Sequence, residues 1–172
     1  MRLPAGRILY DIGDTVRYAY FPTNGMVSLL SSTREGATVE VAMVGRNGLV
    51  GLPILWRANT SPYQVLVQIA CDAYRLRSDI FRTEFRRDGT LQEAVLEHLH
   101  GVLVQLSQSS ACHRFHSAPA RLSRWLLISR DCVQSNTIEL SQEFFARMLG
   151  IHRKRVSSAA LTLQARGAIR QR

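Results

Sequence analysis

The sequence predicts an α+β chain: an N-terminal antiparallel β-roll or barrel, then a long helix, then a C-terminal helix-turn-helix. Three observations carry this. Short segments rich in β-branched and aromatic residues, divided by glycine-containing turns, fill about the first eighty residues. The apolar period changes near Ser78, and leucines then recur at helical spacing between Leu91 and Leu106. Finally, two helical patterns meet at Gly150, and the second opens on consecutive cations. The expected units are residues 1–88 for the β-domain, 89–117 for the long helix and 118–172 for the helix-turn-helix.

The expected strands are Arg7-Ile8-Leu9-Tyr10, Tyr18-Ala19-Tyr20-Phe21, Met26 to Ser31, Thr38 to Val44 and Tyr63 to Ala70. Turn chemistry separates them at Ile12-Gly13-Asp14, Thr23-Asn24-Gly25, Arg34-Glu35-Gly36 and Arg46-Asn47-Gly48. Short strands at this spacing suit an antiparallel sandwich or barrel. No internal repeat or low-complexity linker interrupts the chain.

In the long helix Leu96, Leu99, Leu103 and Leu106 step by three, four and three, with Val95 and Val102 beside them. Such a stripe needs a partner along its length. The pattern leaves two open: the β-domain of the same chain, or the same helix of a second copy, for which Leu96, Leu99, Val102, Leu103 and Leu106 form the expected dimer interface. A further helix is expected after Pro119, with Leu122, Trp125 and Leu126 facing inward.

The chain of 172 residues is 46% hydrophobic, enough to bury a core without staples. Its apolar stretches are broken well before the ~20 residues a bilayer requires, so no membrane span and no membrane partner is expected. Met1-Arg2-Leu3-Pro4-Ala5-Gly6-Arg7 lacks the apolar core of a signal peptide, and the expected location is cytoplasmic. Cys71, Cys112 and Cys132 are odd in number and far apart, which suits free buried thiols in a reducing compartment.

Charge is divided unevenly. Residues 1–100 hold 11 arginines against 10 acidic residues, whereas residues 101–172 hold ten arginines and Lys154 against Asp131, Glu139 and Glu143 alone. A basic region attracts the phosphates of nucleic acid, and anionic membrane surfaces equally, so charge does not choose between them.

Residues Leu140 to Val156 read as two helices around a turn. Ser141 is a suitable N-cap, Phe145, Met148 and Leu149 share one face, Ala146 is small enough for a close crossing and Gly150 permits the turn. Val156, Ala160, Leu161 and Leu163 are the expected buried face of the second helix. Its first turn carries His152, Arg153, Lys154 and Arg155, followed by Ser157 and Ser158, and no acidic residue follows Glu143. Arg and Lys pair with guanine O6 and N7 in the major groove, and Ser bonds bases or phosphates. Ser141 and Gln142 would hold backbone phosphate at the positive end of the first helix. A Gly-centred helix pair alone fits an ordinary hairpin with a solvated face equally well, and the run of cations decides for double-stranded DNA. The competing class is a sensor or protein-interaction module that does not bind DNA.

Over nearly its whole length the chain resembles the Crp/Fnr family of bacterial transcription regulators. The resemblance is carried by Ala120-Arg121-Leu122-Ser123-Arg124-Trp125-Leu126-Leu127, by Leu140 to Ile151 with Val156, and by Leu163-Gln164-Ala165-Arg166-Gly167-Ala168-Ile169. It implies a cyclic-nucleotide-binding-like sensor, a homodimer, and a winged helix-turn-helix on a palindromic operator, with half-sites ~34 Å apart. It places Arg153, Lys154 and Ser158 at base-reading positions. Lys154 stands where the family often has an acidic residue, so the family's usual target sequence is not expected. RNA polymerase would be a further partner of an activator, although no residue marks a surface for it. The family's wing and leading helix are missing, so the chain reads as a fragment or short variant.

By the same resemblance Gly45 to Pro53 lies where the family's phosphate-binding cassette lies. The Glu and Arg that hold a cyclic nucleotide there are replaced by Leu52 and Pro62. Cyclic AMP is therefore not the expected effector. Gly48, Gly51, Leu52, Arg57 and Tyr63 are the expected effector pocket, with Arg57 placed to meet a phosphate of some other ligand.

No metal and no cofactor is expected. Cys112, His113 and His116 are close, but the further ligands of a tetrahedral site are not placed, and the N-terminal cysteine cluster of the family's iron-sulfur members is lacking. His98 and His100 are expected at the surface or an interface. Ser109, Ser110, His113 and Asp131 make no catalytic spacing, and no Walker motif is present, so no enzyme is expected.

Overall fold

The computed structural model describes residues 1–46 and 48–170; Asn47 of the expected Arg46–Gly48 turn lies outside them. Seven strands come first: β1 (Arg2–Leu3), β2 (Ile8–Tyr10), β3 (Tyr18–Pro22), β4 (Met26–Ser32), β5 (Thr38–Val44), β6 (Gln64–Ile69) and β7 (Cys71–Arg77), with a 3-10 turn at Leu52–Leu55. Five helices follow: α1 (Ser78–Phe85), α2 (Thr90–Phe115), α3 (Ala118–Val133), α4 (Gln142–Leu149) and α5 (Arg153–Ala165).

The strands form two antiparallel sheets, ordered β1-β7-β3 and β2-β6-β4-β5. This is a two-sheet roll and not the closed barrel that the strand spacing also allowed. Bulges break the register between Ile8 and Tyr10, between Met26 and Val27, and between Leu29 and Leu30, bending the larger sheet. At the turn into β4, Gly25 is required twice over: its φ is +65°, and a Cβ there would meet the Ala70 carbonyl at 2.4 Å.

Burial on both faces explains the composition of the larger sheet. Val27, Leu29, Ala42, Val44, Val65 and Val67 face the interior of the roll. Met26, Leu30, Met43 and Leu66, from the same strands, belong to a second core with Leu122, Trp125, Met148, Leu149 and Leu163. The C-terminal helices therefore sit directly on the outer face of this sheet. A surface covered on both sides selects near-continuous apolar runs over alternation.

α2 is about 39 Å long at 1.5 Å per residue and lies along the roll. Val95 is buried, and Leu91, Leu99, Val102 and Leu106 pack on the roll's core, while Leu96 and Leu103 remain 49% and 54% exposed. The β-domain of the same chain thus takes one half of the leucine stripe. His98, expected at the surface or an interface, is half-buried between α2 and the roll, its Nε2 lying 2.8 Å from the Leu49 carbonyl oxygen. Gln105 binds the backbone of Met43 on β5 through both its amide atoms. Cys71 and Cys112 are buried and Cys132 half-buried, all three free. No helix among the described residues is long and apolar enough to cross a membrane.

Candidate nucleic-acid interface

The helix pair at the C-terminus begins where the sequence places it. Ser141 caps α4, its Oγ accepting the Phe144 N–H at 3.2 Å. α4 ends on Gly150 in the left-handed conformation, φ +59° and ψ +42°. The Ile151 N–H then donates back to the Ala146 carbonyl at 3.0 Å, which closes the turn. α5 starts at Arg153 with His152 as its N-cap, and no side chain caps it.

α5 is held by Val156, Ala159, Ala160 and Leu163, each no more than 6% exposed. Ala159, Ala160 and Leu163 pack with Met148 and Leu149 of α4 and Leu122 and Trp125 of α3. The Trp125 ring meets Phe145 edge-on at 4.9 Å and Phe144 at 6.3 Å. The Arg121 guanidinium donates to the Leu149 carbonyl, tying α3 to the end of α4. Leu161, expected in the buried face, is instead 62% exposed, because at about 100° per residue it turns away from Ala160. Ala159 occupies the place assigned to it.

With one face of α5 anchored, its first turn is free. His152, Arg153, Lys154 and Arg155 are all exposed, as is Ser158. None of them enters an ion pair among the described residues. Ser157 is placed differently: its Oγ donates to Gln142 Oε1 at 2.5 Å and lies 3.2 Å from the Arg153 carbonyl. Ser157 and Gln142, both expected to touch DNA, are therefore bonded to each other across the turn. Nothing in their residue types signalled this link, which needs the crossing of the two helices. The result is an exposed cationic helix end on a rigid two-helix base, a shape and charge suited to a groove lined with acceptors.

The expected effector residues lie in one packed segment. Gly51, φ +123°, sits where a Cβ would be 3.0 Å from Ala19 Cα; Leu52 is buried at 4% exposure, Gly48 and Tyr63 are half-buried, and Arg57 is exposed. None of the five lines either of two cavities in the chain. The smaller cavity, about 20 Å³, lies between the larger sheet and α2, α3 and α4, bordered by Glu40, Arg121, Arg124 and Trp125. Burial pushes the Glu40 carboxyl up to about 7, opposed by hydrogen bonds and by Arg124. Burial, with Arg121 and Arg124 nearby, lowers His113 below its ordinary range. Of Cys112, His113 and His116, the first is buried, the second half-buried and the third exposed; no group of three possible metal ligands converges among the described residues.

This arrangement is that of a cyclic-nucleotide-binding fold joined to a DNA-binding helix-turn-helix. Residues 1–88 match the model of the cyclic nucleotide-binding domain, and residues 120–172 match that of the Crp-like helix-turn-helix domain. The chain belongs to the Crp/Fnr family of transcription regulators. Among solved structures it is similar to the c-di-GMP-responsive global regulator CLP of Xanthomonas campestris, at 17% identity and TM-score 0.78 over 100% of this chain and 89% of that one. It is similar to FixK2 of Bradyrhizobium japonicum, at 15% and 0.82 over 97% and 84%. A third is a CRP-family transcriptional regulator of Thermus thermophilus, at 18% and 0.81 over 100% and 88%. A search of curated proteins by sequence gives no match.

Proposed function

We propose that the protein is a cytoplasmic, non-enzymatic, homodimeric regulator that binds a palindromic operator through α5 and answers to an effector other than cyclic AMP. The observation that carries DNA binding is the uncompensated first turn of α5, with Arg153, Lys154 and Arg155 exposed on a helix anchored by Val156, Ala159 and Leu163. Arg153, Lys154 and Ser158 read bases, while Ser141 and Gln142 face backbone phosphate. The Crp-like helix-turn-helix match supports this reading. Exposed Leu96 and Leu103 supply an apolar seam for the second copy. Against cyclic AMP stand Leu52, apolar and buried, and Pro62, which carries no charge for a phosphate.

The test is retention of a random duplex pool at two salt concentrations, followed by sequencing. A palindromic motif, lost in an Arg153→Ala/Lys154→Ala variant that still folds, is the expected result. Affinity should fall steeply with salt as condensed counterions return to the DNA. An unchanged motif and affinity in the double variant would remove α5 as the reading helix.

A further inference from the structure

Between β2, β3 and β7 the roll opens into a cleft of about 460 Å³, within the ~300–1,000 Å³ range of small-molecule sites. Its walls are unusually charged for a pocket beside a core. Arg7, Arg17 and Arg75 line it, against the single carboxylate of Asp14. None of the three arginines enters an ion pair among the described residues. Asp14 is already engaged, accepting the Asp11 N–H through Oδ2 at 2.8 Å.

Arg75 stands over the Tyr18 ring, 4.2 Å from the centroid, and Tyr20 completes an aromatic wall. The Tyr10 hydroxyl is sealed from solvent and takes no part in this surface. Guanidiniums and aromatic faces together recognise an anionic oxo group attached to a flat body.

We propose that this cleft is a binding site for a small phosphate- or carboxylate-bearing aromatic molecule, held by Arg7, Arg17 and Arg75. The site is distinct from the segment Gly48 to Arg57, none of whose expected pocket residues lines it. It is nevertheless connected to that segment. Tyr20 and Val50 exchange backbone hydrogen bonds of 2.8 and 2.9 Å, and the neighbouring Leu49 carbonyl meets His98 of α2. A ligand resting on Tyr20 thus bears on the Leu49–Val50 segment that His98 of α2 holds.

Calorimetric titration of the full chain tests this without DNA, so its outcome is separate from that of operator binding. The probes are phenyl phosphate and benzoate at fixed ionic strength, which distinguish phosphate from carboxylate, with phenol as the neutral control. Expected is one saturable site for at least one anion and none for phenol. Arg75→Ala should weaken it about tenfold or more through loss of a charge-assisted contact. Arg17→Ala should weaken it by a similar factor, through loss of a second such contact. The proposal is overturned if neither anion binds up to millimolar concentration, or if both variants bind as the parent does. It also falls if replacing all three arginines reduces duplex-DNA affinity while anion binding is nowhere seen, because the patch would then belong to the nucleic-acid surface.

Discussion

Gln68 Nε2 on β6 donates to Glu40 Oε2 on β5 at 2.7 Å, and the same nitrogen lies 2.7 Å from Met148 Sδ on α4. With the Ser28 hydroxyl, which donates to the same carboxylate oxygen at 2.6 Å, these residues form a polar island under the C-terminal helices. The island makes stability depend on pH. Glu40 titrates at 4.5 when unperturbed and at about 7 in the fold, a difference worth about 3 kcal/mol. Because its folded value is raised, the contribution is complete below pH 4.5 and is lost as pH climbs through 7. His98 and His113 act with the opposite sign. Burial lowers both, so their contributions are present above the ordinary histidine range and fade as pH falls. Glu40→Gln, which is neutral at every pH, isolates the carboxyl. In urea unfolding, the stability difference between variant and parent should shift toward the variant by up to about 3 kcal/mol between pH 5 and pH 8. A difference independent of pH would show that Glu40 is not the group responsible.

Ser157 and Gln142 join α5 to α4 in the same way that Glu40 and Gln68 join two strands. Removing either end of the 2.5 Å bond should cost about 1 kcal/mol. Ser157→Ala and Gln142→Ala should also be non-additive, with a coupling of about 0.5–1.5 kcal/mol in a double-mutant cycle. Strict additivity in denaturant would show that the two side chains do not meet in solution. DNA affinity should drop less for Ser157→Ala than for Arg153→Ala, since the serine hydroxyl is already spent inside the motif.

The helix-turn-helix was the most legible part of the chain because its signals are local: Ser141 as cap, Gly150 in the left-handed turn, cations at Arg153 to Arg155. The strands at Thr38–Val44 and Gln64–Ile69 were legible for the same reason, as β-branched runs between turns. β7 was not, because Asp72 and Tyr74 occupy one face while Arg75 and Arg77 follow Cys71 and Ala73 on the other, so no clean apolar alternation shows. The roles of Glu40, Ser28 and Gln68 were also hidden. A polar residue on a strand ordinarily marks the solvent face, and only the docking of α3 and α4 on β4, β5 and β6 buries these three. The cleft arginines are not legible in the sequence either, because Arg7, Arg17 and Arg75 lie far apart along the chain and meet only through pairing of β3 with β7 and closure of the roll.

Gly45 reports directly on that docking. A Cβ at this position would stand 2.6 Å from Cys132 Cβ and 2.8 Å from its Cα, so the residue that follows β5 and the last turn of α3 are in close contact. Gly45→Ala should therefore push α3 outward and destabilise the fold by about 1–3 kcal/mol. The Cys132 thiol, held up at about 11 by burial, should at the same time react faster with a disulfide reagent. An unchanged reaction rate together with an unchanged melting temperature would mean that α3 does not rest on β5.

The two sides of α2 make separable predictions. Leu99 packs on the roll's own core, whereas Leu103 stands 54% exposed one turn further on. Leu99→Ala should cost about 1–2 kcal/mol, less than a fully buried leucine, with its effect seen in unfolding whatever the protein concentration. Leu103→Asp removes no core contact and should alter monomer stability by no more than about 0.5 kcal/mol. It does place a charge at the centre of the seam assigned to the second copy. Light scattering after size exclusion should therefore find the Leu103→Asp chain at half the mass of the parent, and DNA retention should fall with it because the two recognition helices are no longer joined. If the variant keeps the parent's mass, the exposed leucines do not form a dimer seam.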